Sequence, residues 1–126
     1  MIVLDKTTRS LRVVLSGAKT TNDAQCAVVF YDVPSQTKQT FDEYRGALQV
    51  QDTNGATPVA ICNAPSLNGT IRVIEHISIY NYDTANITAE VHVYDSTGTV
   101  TTRLKKNTLG TGTGLVYERN SGWAVL

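Results

Sequence analysis

Residues 71–80, IRVIEHISIY, and 87–95, ITAEVHVYD, alternate in hydropathy with a period of two. In the second segment Ile87, Ala89, Val91 and Val93 form the apolar set, and Thr88, Glu90, His92 and Tyr94 the polar one. In the first, Ile71, Val73, Ile77 and Ile79 share a face interrupted by Glu75, while Arg72, His76, Ser78 and Tyr80 share the other with Ile74. Strand side chains point alternately to two faces, so the pattern predicts two strands with one dry and one wet side. A hairpin through NYDTAN (81–86) would fix the parity of their register, because a one-residue slip turns every side chain over. His76 then falls opposite His92 or Glu90, and three ionisable groups gather on one face.

The period of two continues outward from this pair. SLRVVL (10–15), CAVVFYDV (26–33), TPVAICNA (57–64), VTTRLKK (100–106), LVYER (115–119) and WAVL (123–126) read as further strands. TNG (53–55) is a turn signal, since Asn and Gly tolerate positive φ. DSTG (95–98) predicts a tight hairpin loop, GTGTG (110–114) a flexible or sharply bent connection, and NSG (120–122) a closing hairpin between Tyr117 and Trp123. FDEYRGAL (41–48) is the best single helical turn, with Phe41, Tyr44 and Leu48 at i, i+3 and i+7. Short, evenly spaced strands without long helices indicate an all-β antiparallel sandwich or barrel. The first fifty residues are less regular, and an irregular amino-terminal arm (1–10) with a contact loop (16–25) is expected there.

Composition agrees with one such domain over 1–126. A chain of this length buries roughly two-thirds of the surface it exposes unfolded, enough for a core without staples. Only 17% of residues are charged, and eleven basic residues balance eleven acidic ones. A neutral chain offers no global field to draw it to nucleic acid or an anionic membrane, so neither is an expected partner. Cys26 and Cys62 sit in apolar runs and read as buried thiols. MIVLDKTTRS lacks the basic and long apolar regions of a signal peptide, which predicts a chain made and used in the cytosol, or assembled there into something larger. On that reading the sequons NGT (68–70) and NIT (86–88) are coincidental.

Motifs for catalysis are missing: there is no G-x-S-x-G, Walker loop or C-x-x-C. No helix follows GTGTG to supply a phosphate-binding amide cradle. The neighbouring acids Asp42 and Glu43 read as solubilising. His76, Glu90 and His92 are the candidate metal ligands, but a transition metal needs three or four convergent ligands in a dry surround. They read instead as a solvated or inter-subunit polar face, and no catalytic residue, metal or cofactor is expected. The basic cluster TRLKK (102–106) would set Arg103 and Lys105 on one side of a strand, opposite Leu104 and Lys106. Its lysines guard an edge or meet the acids of a partner. Lys19, Asn22, Asp23, Arg103 and Lys105 are the expected partner-contact residues. Trp123 is expected in the core, since a lone tryptophan in a small sandwich usually fills the centre.

Several stretches carry a family resemblance. TNGATPVAICNAP (53–65), IEHISIYNYDTANITAEVHVYD (74–95), TRLKKNTL (102–109) and GLVYERNSGWAVL (114–126) resemble small β-sandwich virion proteins of tailed bacteriophages, as does LRVVLSGAKTTNDAQCAVVFYD (11–32). In that pattern a strand ending ISIYNxD precedes a further strand, and a terminal Gly-Trp closes the fold. Where related sequences carry a Pro-Gly-Glu turn, this chain has LGTGTGL (109–115). The resemblance implies a jelly-roll-like sandwich and a non-enzymatic capsid decoration, or cement, protein. Such a protein would be assembled in the host cytoplasm onto the virion, contacting the major capsid protein, other virion proteins and its own copies as a dimer or trimer. A neck, tail or fibre-attachment role is the alternative. A carbohydrate-binding module using Tyr80, Tyr82 and Tyr94 is a third.

Overall fold

A computed structural model describes residues 1–16, 21–34 and 45–126. Within them ten strands form two antiparallel sheets, so the chain is an all-β sandwich. The strands are β1 (Ile2–Leu4), β2 (Arg9–Leu15), β3 (Gln25–Pro34), β4 (Arg45–Val50) and β5 (Val59–Cys62). They continue with β6 (Thr70–Tyr80), β7 (Ile87–Asp95), β8 (Val100–Leu109), β9 (Gly114–Glu118) and β10 (Gly122–Val125). Sheet A runs β10-β9-β6-β3-β4, with β1 also paired to β6, and sheet B runs β5-β2-β7-β8.

The strand order contains a repeat that the sequence does not advertise. Strands β2–β5 place their inner pair, β3 and β4, in sheet A and their outer pair, β2 and β5, in sheet B. Strands β6–β9 do the converse, with β7 and β8 in sheet B and β6 and β9 in sheet A. Advancing or retreating each strand by four therefore exchanges β4-β3-β6-β9 for β8-β7-β2-β5. The coarse expectation, an antiparallel sandwich, is what this order delivers.

The core lies between the sheets. Leu11, Val13 and Leu15 from β2, with Ala89 and Val91 from β7, face Cys26 and Val28 from β3 and Ile77 and Ile79 from β6. The interruption at Glu75 now has a cause. On β3 the register passes from Val29 opposite His76 to Phe30 opposite Ile74, leaving Glu75 as the extra residue of a β-bulge. The bulge changes the parity of the strand, which brings Ile74 into the core at 0% exposure.

Two expectations for the first fifty residues need correction. Residues 2–4 are not an irregular arm: they pair with Arg72–Ile74 of β6, and Leu4 is fully buried. The segment 45–48 is not helical but the start of β4, paired to β3; residues 41–44, with Asp42, Glu43 and the rest of that expected turn, lie outside the described residues. The central aromatic is also different. Tyr117 is buried and its hydroxyl accepts the amide of Ile2 at 3.0 Å. Trp123 is directly opposite it on the edge strand β10, half-buried, with ring centroids 5.1 Å apart, so it covers the core rather than filling it.

Three turns match their sequence signals. The DSTG loop closes the β7–β8 hairpin through a short 3-10 turn at Thr97–Thr99 with Gly98 at φ 74°. The β9–β10 hairpin forms as expected. GTGTG crosses from sheet B to sheet A as a sharp bend, with Gly112 at φ 76° donating to the Asn81 carbonyl at 2.8 Å.

Candidate functional site

The expected cluster of His76, Glu90 and His92 does not form. β6 and β7 are not a hairpin: they belong to different sheets, and residues 81–86 cross between them. What holds that crossing is a pair of buried polar residues. The Asn81 amide donates to the carbonyls of Ala85 and Leu109, both at 3.0 Å, and its oxygen accepts the Asp83 amide at 2.8 Å. Asp83 in turn accepts the backbone amides of Thr21, Asn22 and Thr84 at 2.8–3.0 Å. Each of these side chains is only 1% exposed, as groups that satisfy otherwise orphaned backbone must be. NYDTAN is thus a crossing latched from within by Asn81 and Asp83, with Tyr82, Thr84 and Asn86 exposed.

His76 consequently stands alone on sheet A with Glu118, its register partner on β9, Nδ1 to Oε1 2.6 Å. His92 stands on sheet B with Glu90, Nε2 to Oε2 3.3 Å. Among the described residues no group of three His, Cys, Asp or Glu side chains converges as a metal site.

The outer face of sheet B is built around Glu90. Register places Arg12 of β2, His92 of β7 and Arg103 of β8 in one row across the sheet, and Glu90 opposite Lys106 in the next. Glu90 Oε1 lies 3.2 Å from both Arg103 Nη2 and Lys106 Nζ. Burial alone would raise the Glu90 pKa, but the Lys106 hydrogen bond, the charges of Arg103 and Lys106 and the His92 contact outweigh it and hold the carboxyl below its ordinary value. The Arg12 guanidinium lies over the Tyr94 ring, its carbon 3.6 Å from the centroid. The strand reading of TRLKK misplaced two of these groups. A second bulge, between Val91 opposite Lys105 and His92 opposite Arg103, makes Leu104 the extra residue. Leu104 packs on the core and Lys105 takes the core-side position at the strand edge, while Arg103 and Lys106 point outward together.

The outer face of sheet A is apolar toward β4 and β3, and toward β6 and β9 it carries the His76–Glu118 pair and the Glu75–Arg119 ion pair. Val50, Ala27, Ser78, Val116 and Ala124 form one cross-strand row, and Leu48, Val29, His76 and Glu118 the next. Leu48 and Val50 are each 64% exposed and Val29 37% exposed. Sequence reasoning missed this surface. Its signal was the continuous apolar run in CAVVFYDV, which a strand with only one buried face does not require.

The remaining candidates are mostly structural. Asp23 accepts Gly55 N at 2.7 Å and Thr53 Oγ1 at 3.0 Å, so it latches the TNG turn. Asn22 is tied to Asp83 and Tyr82. Lys19 lies outside the described residues. Tyr80 and Tyr82 are exposed at one end of β6, but Tyr94 is on the other sheet beneath Arg12, so the three tyrosines form no common platform. Cys26 and Cys62 are buried free thiols; burial pushes the first up to about 12 and the second to about 11, the latter against the nearby Arg72 charge. Neither is a nucleophile near neutral pH.

The 300 Å³ groove lined by Gln25, Val50, Asp52, Ser78 and Tyr80 is an open extension of the sheet A face. A 390 Å³ groove lies beside the Arg9–Asp95 ion pair, walled by Val3, Val93 and Val100. No described helix is long and apolar enough to cross a membrane. The chain matches no protein-family model, no curated protein and no solved structure.

Proposed function

We propose that this chain is a non-enzymatic structural component of a tailed-bacteriophage virion, a capsid decoration or cement protein that binds across junctions of the major capsid protein. The observation that carries the reading is the apolar strip on the outer face of sheet A, where Leu48, Val29 and Val50 are exposed side by side on β4 and β3. A contiguous exposed apolar patch on a small domain marks a protein contact. The resemblance of residues 9–33 and 53–126 to virion β-sandwiches supplies the setting. Zero net charge suits a subunit that packs against neighbours, including its own copies, since nothing keeps them apart. Many weak contacts repeated over a symmetric shell add up to firm retention.

Cryo-electron microscopy of particles from the phage that encodes this chain tests the proposal. Sandwich density at capsomer junctions, with sheet A against the shell, is the expected result. Density confined to the neck or tail would replace the cement role with the alternative. Particles without the sandwich would overturn both.

A further inference from the structure

We infer that the outer face of sheet B docks an acidic protein surface, one presenting clustered Asp or Glu carboxylates. The inference deepens the virion reading by giving the second face a partner chemistry, and it rests on that reading for the partner's setting. Its basis is an excess of fixed positive charge that folding does not explain. Arg12, His92 and Arg103 stand in one row across three strands, so two guanidiniums flank the imidazole on the same face. Among the described residues of this face, Arg12, Arg103 and Lys106 are permanent cations and Glu90 is the one carboxylate. Two positive charges are left over before His92 is counted.

Glu90 is already saturated. Its side chain is 13% exposed and touches His92, Arg103 and Lys106 at once. Arg12 has no carboxylate within ion-pair distance among the described residues, and its Nε–H finds no acceptor. The reachable cations are Arg103, 57% exposed, and Lys106, 48% exposed, both held from below by Glu90. Held cations bind better than free ones, because less side-chain freedom is lost on contact. A guanidinium fork beside an ammonium matches carboxylates, which take paired N–H donors.

Nucleic acid fits less well. Two surplus charges neutralise few phosphates, the whole chain is neutral, and the Tyr94 ring that could stack on a base is covered by Arg12. A protein carboxylate cluster needs neither a long basic track nor a free aromatic.

The test uses the full chain and three fluorescent probes: a peptide of alternating Glu and Gly, the same peptide with Gln for Glu, and a short DNA duplex. Anisotropy titrations at low and physiological ionic strength should show binding of the Glu peptide and none of the Gln peptide. Arg103→Glu should weaken the Glu peptide roughly tenfold. Lys6→Glu, with the same change in net charge but in the β1–β2 turn, should leave it unchanged. Arg103→Gln with Lys106→Gln gives the same loss without a reversed charge, should the first variant fold poorly. Equal loss in the Lys6 and Arg103 variants, or no binding by the native chain, overturns the inference. Preference for the duplex replaces it with a nucleic-acid face. Failure here leaves particle density unaffected, and absence from the particle leaves peptide binding unaffected, so the two readings fail separately.

Discussion

The two outer faces of the sandwich are built on the same pleat and carry opposite chemistry. Sheet A shows Leu48, Val50, Val29, Ala27 and Val116 beside the His76–Glu118 and Glu75–Arg119 pairs. Sheet B shows Arg12, His92, Arg103 and Lys106 around one carboxylate. Neither pattern follows from the core, which asks only that the inner positions be apolar. An outer face in simple contact with water would carry Thr, Ser and mixed charge, as the Thr88–Thr108 pair on the rim of sheet B does, hydroxyls 2.9 Å apart. The difference teaches that the sandwich is a spacer between two unlike surfaces: one suited to dry contact, one to ionic contact.

Breaking the spacer should have the largest effect. Asn81 joins the end of β6, the crossing 81–86 and the β8–β9 bend, so it holds both sheets at once. Asn81→Ala leaves the buried Leu109 carbonyl and Asp83 amide, and the part-buried Ala85 carbonyl, without this partner, at about 1–3 kcal/mol for each unsatisfied group that water cannot reach. A net loss of about 3 kcal/mol is expected, visible as a lower urea midpoint with little change in slope. An unchanged midpoint would mean that the latch is redundant.

The buried thiols sharpen the same point, because each sheet has one: Cys26 on β3 and Cys62 on β5. In the native protein at mildly alkaline pH both should be alkylated only through opening of the sandwich, and at matching rates. Asn81→Ala should accelerate both together by roughly a hundredfold, the equivalent of its lost stability. Acceleration of one thiol alone would show that the sheets open independently and that the latch serves only one of them.

A smaller effect separates the faces. Glu90→Gln removes the one carboxylate among the described residues of the outer face of sheet B and should cost about 1 kcal/mol, modest because Arg103 and Lys106 are half exposed. The sign of the pH dependence follows from the lowered Glu90 pKa. A carboxyl with a folded pKa below its unfolded one contributes stability above the unfolded value and loses it as pH falls through the folded value. Native protein should therefore lose part of its stability as pH drops below the ordinary carboxylate range, and Glu90→Gln should lose less over that interval. Parallel melting curves for the two proteins across that window would sink the electrostatic account of this face.

How much of this was legible without coordinates depends on which physical quantity the sequence encodes. Alternation fixes which side of a strand is dry, and Ile87, Ala89 and Val91 are inside as their period demands. Alternation does not say which strand lies alongside, so His76 and His92 were placed together when the crossing at Asn81 and Asp83 sends them to separate sheets. Nor does it show bulges. Glu75 looked like a break in a pattern and Leu104 like an ordinary member of one, yet each is the extra residue that turns its neighbours over. β1 and β4 were invisible for a different reason. Three residues, or six containing Gly46, carry too little period to be recognised, and their pairing with β6 and β3 is a tertiary event. The candidate site suffered most, because a surface is defined by rows across strands, and rows depend on registers that no single segment contains.

The smallest expected change in stability is the most informative about sheet A. Leu48 and Val50 lie on the edge strand β4 with their side chains on the outer face, each 64% exposed. Removing apolar groups that are already largely in water forfeits little burial, and threonine has the β-branched shape that strands favour. Leu48→Thr with Val50→Thr should thus shift stability by no more than about 0.5 kcal/mol, while retention on particles falls sharply. A loss of several kcal/mol would mean that these residues serve the fold in a way their exposure hides. Unchanged stability with unchanged retention would move the contact elsewhere, to the ionic face of sheet B. Unchanged stability with lost retention is the expected pair, and it would identify Leu48 and Val50 as residues kept for a neighbour rather than for the domain.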